Sequence, residues 1–123
     1  MKITGLLLLI FFQTKSANAL ELYLKTDSNR TKKFIISKLE GIQVNAECLK
    51  DKKHCLELLS KPKNPNEKKE SDGSIGNPAS DFCLVKNGAS AILEDKKHNE
   101  YDYCVFENKF YVDSWDFYKK YRK

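Results

Sequence analysis

The chain has 123 residues, enough for one small domain, and carries 22 basic and 17 acidic side chains for a net charge of +5. That surplus is too small to argue for nucleic-acid binding, and beyond the first residues no stretch is long and apolar enough to span a bilayer. With an even count of four cysteines in so short a chain, disulfides are the leading expectation.

In chain order, residues 1–19 read as a cleavable export signal. Lys2 supplies positive charge, "GLLLLIFF" (Gly5 to Phe12) is a short apolar run, and "ANA" (Ala17 to Ala19) places small residues before a cleavage point at Leu20. Gln13, Thr14 and Lys15 end the run too early for a membrane span, which needs roughly 20 apolar residues. No cysteine follows the run, so a lipoprotein anchor has no thiol to carry it. The expected product is periplasmic or secreted, and monomeric.

The remainder divides in two. "LELYLKT" (Leu20 to Thr26) alternates apolar and polar residues as a half-buried strand does. "KKFIISKLEGIQV" fits strand or helix. "AECLKDKKHCLELLSK" (Ala46 to Lys61) carries a helical stripe of Cys48, Leu49, Cys55, Leu56 and Leu59. Seven residues of helix rise about 10.5 Å, whereas a disulfide needs Cα atoms within roughly 7 Å. A continuous helix and a Cys48–Cys55 bond therefore exclude one another, and residues 20–59 read as a less regular N-terminal segment. "SKPKNPNEKKESDGSIG" (Ser60 to Gly76) can bury no apolar face and reads as a flexible linker over 60–76.

Residues 77–123 hold ten of the fourteen aromatic side chains and should contain the aromatic core. Asn77 can cap a helix opened by Pro78 and running through Lys86, with Asn87 and Gly88 as its stop. "ASAILE" (Ala89 to Glu94), "YDYCVFE" (Tyr101 to Glu107) and "FYV" (Phe110 to Val112) read as strands, with a tight turn at Asn108–Lys109. Asp113 or Ser114 can cap a final helix bearing Trp115, Phe117, Tyr118 and Tyr121. The fold class is α+β, a disulfide-stapled α-β-β-(β)-α unit behind the less regular segment, and no internal repeat links the halves. So small a unit usually needs a staple, and a Cys83–Cys104 bond, worth on the order of 3 kcal/mol, would tie its first helix to its second strand.

"NPAS-x-x-C" at Asn77 to Cys83, the Asn87–Gly88 turn, "C-x-F" at Cys104 to Phe106, and Trp115 nine residues later carry a resemblance. Over 77–122 the chain resembles the bacterial domain-of-unknown-function family 333, whose members are often labelled haemolysins. The label implies no mechanism, since no segment after residue 20 stands out as built to face lipid. Relatives usually hold two further cysteines, at places taken here by Val112 and approximately Arg122. Their joint absence implies that they pair with each other, leaving Cys83 with Cys104. The alternative implied by the family is a crossed arrangement in which Cys48 and Cys55 replace the missing partners.

Three functional classes can be weighed. Catalysis lacks any nucleophile, zinc or phosphate-loop motif, and scattered carboxylates are ordinarily solvated, so no enzyme and no cofactor are expected. His54 and His98 read as solvated loop residues rather than metal ligands. A non-enzymatic binding module acting through protein contacts is the leading expectation, with Tyr111 and Tyr121 as exposed anchors and Lys119, Lys120 and Arg122 beside them, while Phe110, Trp115 and Tyr118 fill the core. The alternatives are an anionic-membrane or host-surface binder using basic clusters such as "KKYRK", and a protease-inhibitor-like protein.

Overall fold

A computed structural model describes residues 20–25, 32–63 and 77–122. The expected export signal and all but the first residues of the expected linker fall outside them. The architecture is α+β, but the N-terminal segment is as regular as the rest. Strands β1 (Leu20–Leu24), β2 (Lys33–Leu39) and β3 (Ile42–Asn45) precede helices α1 (Ala46–Lys50) and α2 (Lys52–Ser60). Helix α3 (Pro78–Val85), strands β4 (Ala89–Glu94), β5 (Glu100–Phe106) and β6 (Phe110–Asp113), and helix α4 (Ser114–Tyr121) follow.

All six strands join in one closed antiparallel barrel, ordered β1-β2-β3-β6-β5-β4. The halves expected on either side of the linker thus share a single sheet. The ambiguous "KKFIISKLEGIQV" is a β-hairpin. Leu39 pairs with Ile42 across a two-residue turn in which Glu40 (φ 52°) and Gly41 (φ 85°) are both left-handed, as the twist of such hairpins favours. The "ENK" turn joining β5 to β6 likewise holds Glu107 (φ 54°) and Asn108 (φ 59°) in that region.

The ring has a pseudo-twofold relation that the sequence conceals. Exchanging β1, β2, β3 with β4, β5, β6 reproduces the order. The Ile36–Asn45 and Leu39–Ile42 pairs correspond to Tyr103–Asp113 and Phe106–Phe110. The closing pairs Val44–Val112 and Tyr23–Glu94 are each their own counterpart. Each half ends its third strand on a residue that caps the next helix: Asn45 accepts from the Cys48 amide, and Asp113 from the Asp116 amide. Apart from Leu22 with Leu93 and Val44 with Val112, the matched side chains differ, so no repeat is visible in the residues.

Two cores follow from the alternation of the strands. Leu22, Phe34, Ile36, Leu93, Tyr103, Val105 and Tyr111 gather inside the barrel. Ile42, Val44, Cys104, Phe106, Phe110 and Val112 face outward and are covered by the helices.

Both disulfides lie in this helical layer: Cys48–Cys55 and Cys83–Cys104, with Cα atoms 5.4 and 5.7 Å apart. The conflict between helix and Cys48–Cys55 bond is resolved by a break at one residue. Asp51 leaves helical geometry (φ −131°, ψ 62°), so that α1 and α2 fold towards each other around the bond. Helix α3 is capped by Asn77, which accepts from the Ser80 amide, and stops at Val85 with Lys86 as its cap. Of the two stop residues, only Asn87 (φ 72°) adopts the left-handed conformation. Gly88 is required for space, because a Cβ there would lie 2.3 Å from Cys104 Sγ and 2.9 Å from Cys83 Sγ.

The β3–β6 seam holds a single bridge, Val44 with Val112. Side chains close it on either side. Asn45 Oδ1 accepts from the Tyr111 amide at 3.1 Å, Asn45 Nδ2 donates to the Lys109 carbonyl at 2.9 Å, and Asp116 Oδ2 accepts from the Gln43 amide at 3.0 Å.

Gly88→Ala is expected to destabilise by about 1–3 kcal/mol through overpacking against the Cys83–Cys104 bond, read as a lowered urea midpoint under non-reducing conditions. Asn45→Ala leaves buried backbone groups unpaired at both the seam and the α1 cap, and should cost roughly 3 kcal/mol. Asn45→Asp keeps the accepting oxygen but loses the donor to Lys109, and should fall between alanine and wild type in the same titration.

Candidate functional site

The last helix is amphipathic, and its two faces differ in role. Ser114 and Phe117 are buried, and Phe117 packs on Phe82, Phe106 and Tyr121 at ring-centroid distances of 5.0, 5.8 and 5.5 Å. On the outer side Trp115 is 38% exposed and meets Tyr118 edge-on at 5.9 Å. Arg122 stacks its guanidinium 4.9 Å from the Tyr118 ring, and its Nη1 donates to the Tyr118 hydroxyl at 3.4 Å. Residues 115, 118 and 122 are neighbours on a helical surface, so they form one ladder of indole, phenol and guanidinium.

This arrangement corrects the expected anchors. Tyr111 is only 8% exposed and lies in the barrel interior, its ring 4.4 Å from that of Phe34. Tyr121 is partly buried against Phe117, below the Lys86 amine. Burial raises the hydroxyl pKa of both, with the Glu40 charge adding to the effect at Tyr121. Trp115, expected in the core, is on the surface, Phe110 is fully buried as expected, and Tyr118, also expected in the core, is half-buried against it with its ring 5.7 Å from Phe82. The missed signal was periodic. Positions 114, 117 and 121 follow one helical face and 118 lies at its edge, packed on Phe82, so 115 had to fall outside it. Of the neighbouring cations, Lys120 Nζ donates to the Glu40 carbonyl at 3.0 Å and Arg122 is spent on Tyr118, while Lys119 is exposed.

A second constellation surrounds Lys86. Its side chain is almost buried, and its amine donates to the Lys61 carbonyl at the end of α2. The amine also lies 5.6, 5.8 and 5.9 Å from the rings of Phe82, Phe117 and Tyr121. Burial, then the charge of Lys63, lowers its pKa. This is a pin between α2, α3 and α4, and the amine is too enclosed to serve as an open nucleophile.

The histidines sit apart. His54 lies on α2 rather than in a loop, its Nε2 2.9 Å from Glu107 Oε1 and its ring edge-on to Phe110. His98 occupies the β4–β5 loop, with Nδ1 2.9 Å from Glu94 Oε1. In that loop Asp95 accepts from Asn99, Tyr101 and the Lys97 amide, and the Asn99 hydrogen bond leads in holding its pKa at about 2. Among the described residues no group of three or more His, Cys, Asp or Glu side chains gathers to hold a metal. All four cysteines are buried and disulfide-bonded, which makes them structural.

A cavity of about 430 Å3 opens at one end of the barrel, between the start of β2 and the β5–β6 turn. It exists because β2 runs on past Asn45, the last residue of β3, so that Lys33 to Ile35 have no β3 partner. Phe34, Tyr111 and Asn45 line it, with Lys32, Lys109 and Glu47 around them.

The family model described as Domain of unknown function (DUF333) matches residues 74–121. The resemblance is therefore shown for the segment from α3 to the end of α4, which contains the Cys83–Cys104 bond and the Trp115 ladder. No curated protein and no solved structure matches the chain. The two disulfides indicate an oxidising, non-cytoplasmic setting, and among the described residues no helix is long and apolar enough to cross a membrane.

Trp115→Ala should cost less than about 1 kcal/mol of stability, as surface substitutions do, whereas Phe117→Ala should cost about 3–5 kcal/mol. Thermal denaturation of the two variants side by side checks the assignment of the two faces.

Proposed function

We propose that the protein is an exported, non-enzymatic binding module whose last helix presents Trp115, Tyr118 and Arg122 to a protein partner. The observation that supports this reading is the ladder itself, with Trp115 and Arg122 exposed on either side of a half-buried Tyr118. Tryptophan, tyrosine and arginine are the residue types that most often carry interface energy. Here the Arg122–Tyr118 stack and the edge-on Trp115–Tyr118 contact hold them in place before any partner arrives. Side chains already ordered lose less entropy on binding. The helix beneath is fixed by Phe117 and Lys86 and, through α3, by the Cys83–Cys104 bond.

An anionic-membrane surface is the second reading. Lys119, Lys120 and Arg122 are exposed, and among the described residues Lys120 and Arg122 meet only neutral groups, the Glu40 carbonyl and the Tyr118 ring. Each would contribute about 1 kcal/mol near an anionic surface, which makes three of them a weak hold on their own.

The test immobilises the oxidised protein and the Trp115→Ala/Arg122→Ala variant, and exposes each to envelope and culture-fluid extracts and to anionic vesicles. The expected outcome is a discrete protein retained by wild type at high salt and lost from the variant, with each anchor worth at least roughly 2 kcal/mol. Equal retention by the variant would sink this surface as the site. Retention on anionic vesicles that disappears at high salt would move the reading to membranes.

A further inference from the structure

We infer that the cavity at the barrel mouth is a binding site for a small organic anion with a flat apolar body, held between the Lys32 and Lys109 ammonium groups and the Phe34–Tyr111 ring pair. Its volume, about 430 Å3, lies within the range of small-molecule sites. It is a product of the fold rather than of a loose loop. The strand ladder splits where β3 turns into α1, and the Asn45 amide, bonded to the Lys109 carbonyl and the Tyr111 amide, closes the floor of the gap.

The lining chemistry selects the ligand class. Three lysines, Lys32, Lys33 and Lys109, border the cavity against one carboxylate, Glu47. Glu47 is met by Lys50 at 3.8 Å, and Lys33 by Glu21 at 3.7 Å. Lys32 and Lys109 have no carboxylate partner among the described residues. The Lys32 amine lies 5.3 Å from the Phe34 ring and 5.9 Å from the Tyr111 ring, and the Lys109 amine 5.0 Å from the Phe110 ring. Ring faces attract a cation but accept no conventional hydrogen bond from it, so both ammonium groups keep donors for a ligand. Cationic ligands are disfavoured by the residual charge.

The floor narrows the class further. Asn45 has both amide atoms committed, two bonds on Oδ1 and one on Nδ2, which leaves little to orient an uncharged polar ligand. Burial raises the Tyr111 pKa, so its ring stays a neutral phenol and adds no negative charge. Phe34 and Tyr111, which keep only a small part of their surface exposed, offer the cavity an apolar wall against which the edge of a flat body can lie, while its anionic group meets the lysines. This site is separate from the α4 ladder and does not depend on the protein-binding reading.

The probe is 8-anilinonaphthalene-1-sulfonate, an aromatic anion, titrated into the oxidised, isotope-labelled protein and followed by backbone amide shifts. Its uncharged analogue N-phenyl-1-naphthylamine is run in parallel. Shifts centred on Phe34, Ala46 and Tyr111 are expected, with affinity at least about tenfold weaker in Lys32→Ala/Lys109→Ala. Lys32→Arg/Lys109→Arg should retain most of the binding, and the uncharged analogue should bind more weakly than the sulfonate. Shifts centred on Trp115 and Tyr118, equal binding by the alanine variant or by the analogue, or no shift at millimolar probe would each overturn the proposal. The dispersion of the amide spectrum of each variant shows that its fold is intact, since both substituted side chains lie at the surface.

Discussion

The side-chain amide of Asn45 is the interaction on which the rest of the molecule depends. At this point the chain must do two incompatible things. The third strand has to keep its place beside the sixth, and the backbone has to turn away into a helix. The Asn45 amide takes over from the departing backbone, giving and receiving hydrogen bonds as a peptide group would. The same oxygen caps the helix through the Cys48 amide. A single buried side chain thus couples barrel closure, helix initiation and the placement of the first disulfide. Asp116 serves the other side of the seam from the opposite half of the chain, so each half closes the ring with a side chain borrowed from its helix entry.

Much of the C-terminal half was legible because its signals are local. Asn77 with Pro78, Asp113 before an aromatic helix, and alternating strands around Cys104 each announce themselves within a few residues. The hairpin at Glu40–Gly41 was less legible. Lys33 to Val44 is apolar enough to suit either periodicity, and only pairing on both sides decides it. Barrel closure was invisible for a stronger reason. It is made by pairs far apart in the chain, such as Tyr23 with Glu94, which carry no complementary pattern.

The candidate site divides in the same way. The aromatic richness of the last helix was plain, but the choice of exposed members was not. Tyr111 alternates along its strand with the buried Phe110 and Val112, so a sheet covered on one face alone would leave it exposed. In a barrel wrapped by helices on that side, both faces of the sixth strand are buried, so alternation ceases to mark exposure. The cavity had no sequence signature at all. It arises from the unequal lengths of β2 and β3, with the Asn45 side chain closing its floor.

The pseudo-twofold ring has a consequence for the segment that matches the family. Residues 74–121 supply only half of the barrel, and a half-ring of three strands has two unpaired edges, at β4 and β6. Such edges invite pairing with any strand that meets them. In this chain β1 and β3 occupy both. Covalent connection makes that occupation an intramolecular event, which raises the effective concentration of one half's edges for the other. The N-terminal half therefore acts as a resident competitor for the edges of the other half. It keeps intermolecular strand exchange at bay for as long as the seam at Val44 and Val112 holds.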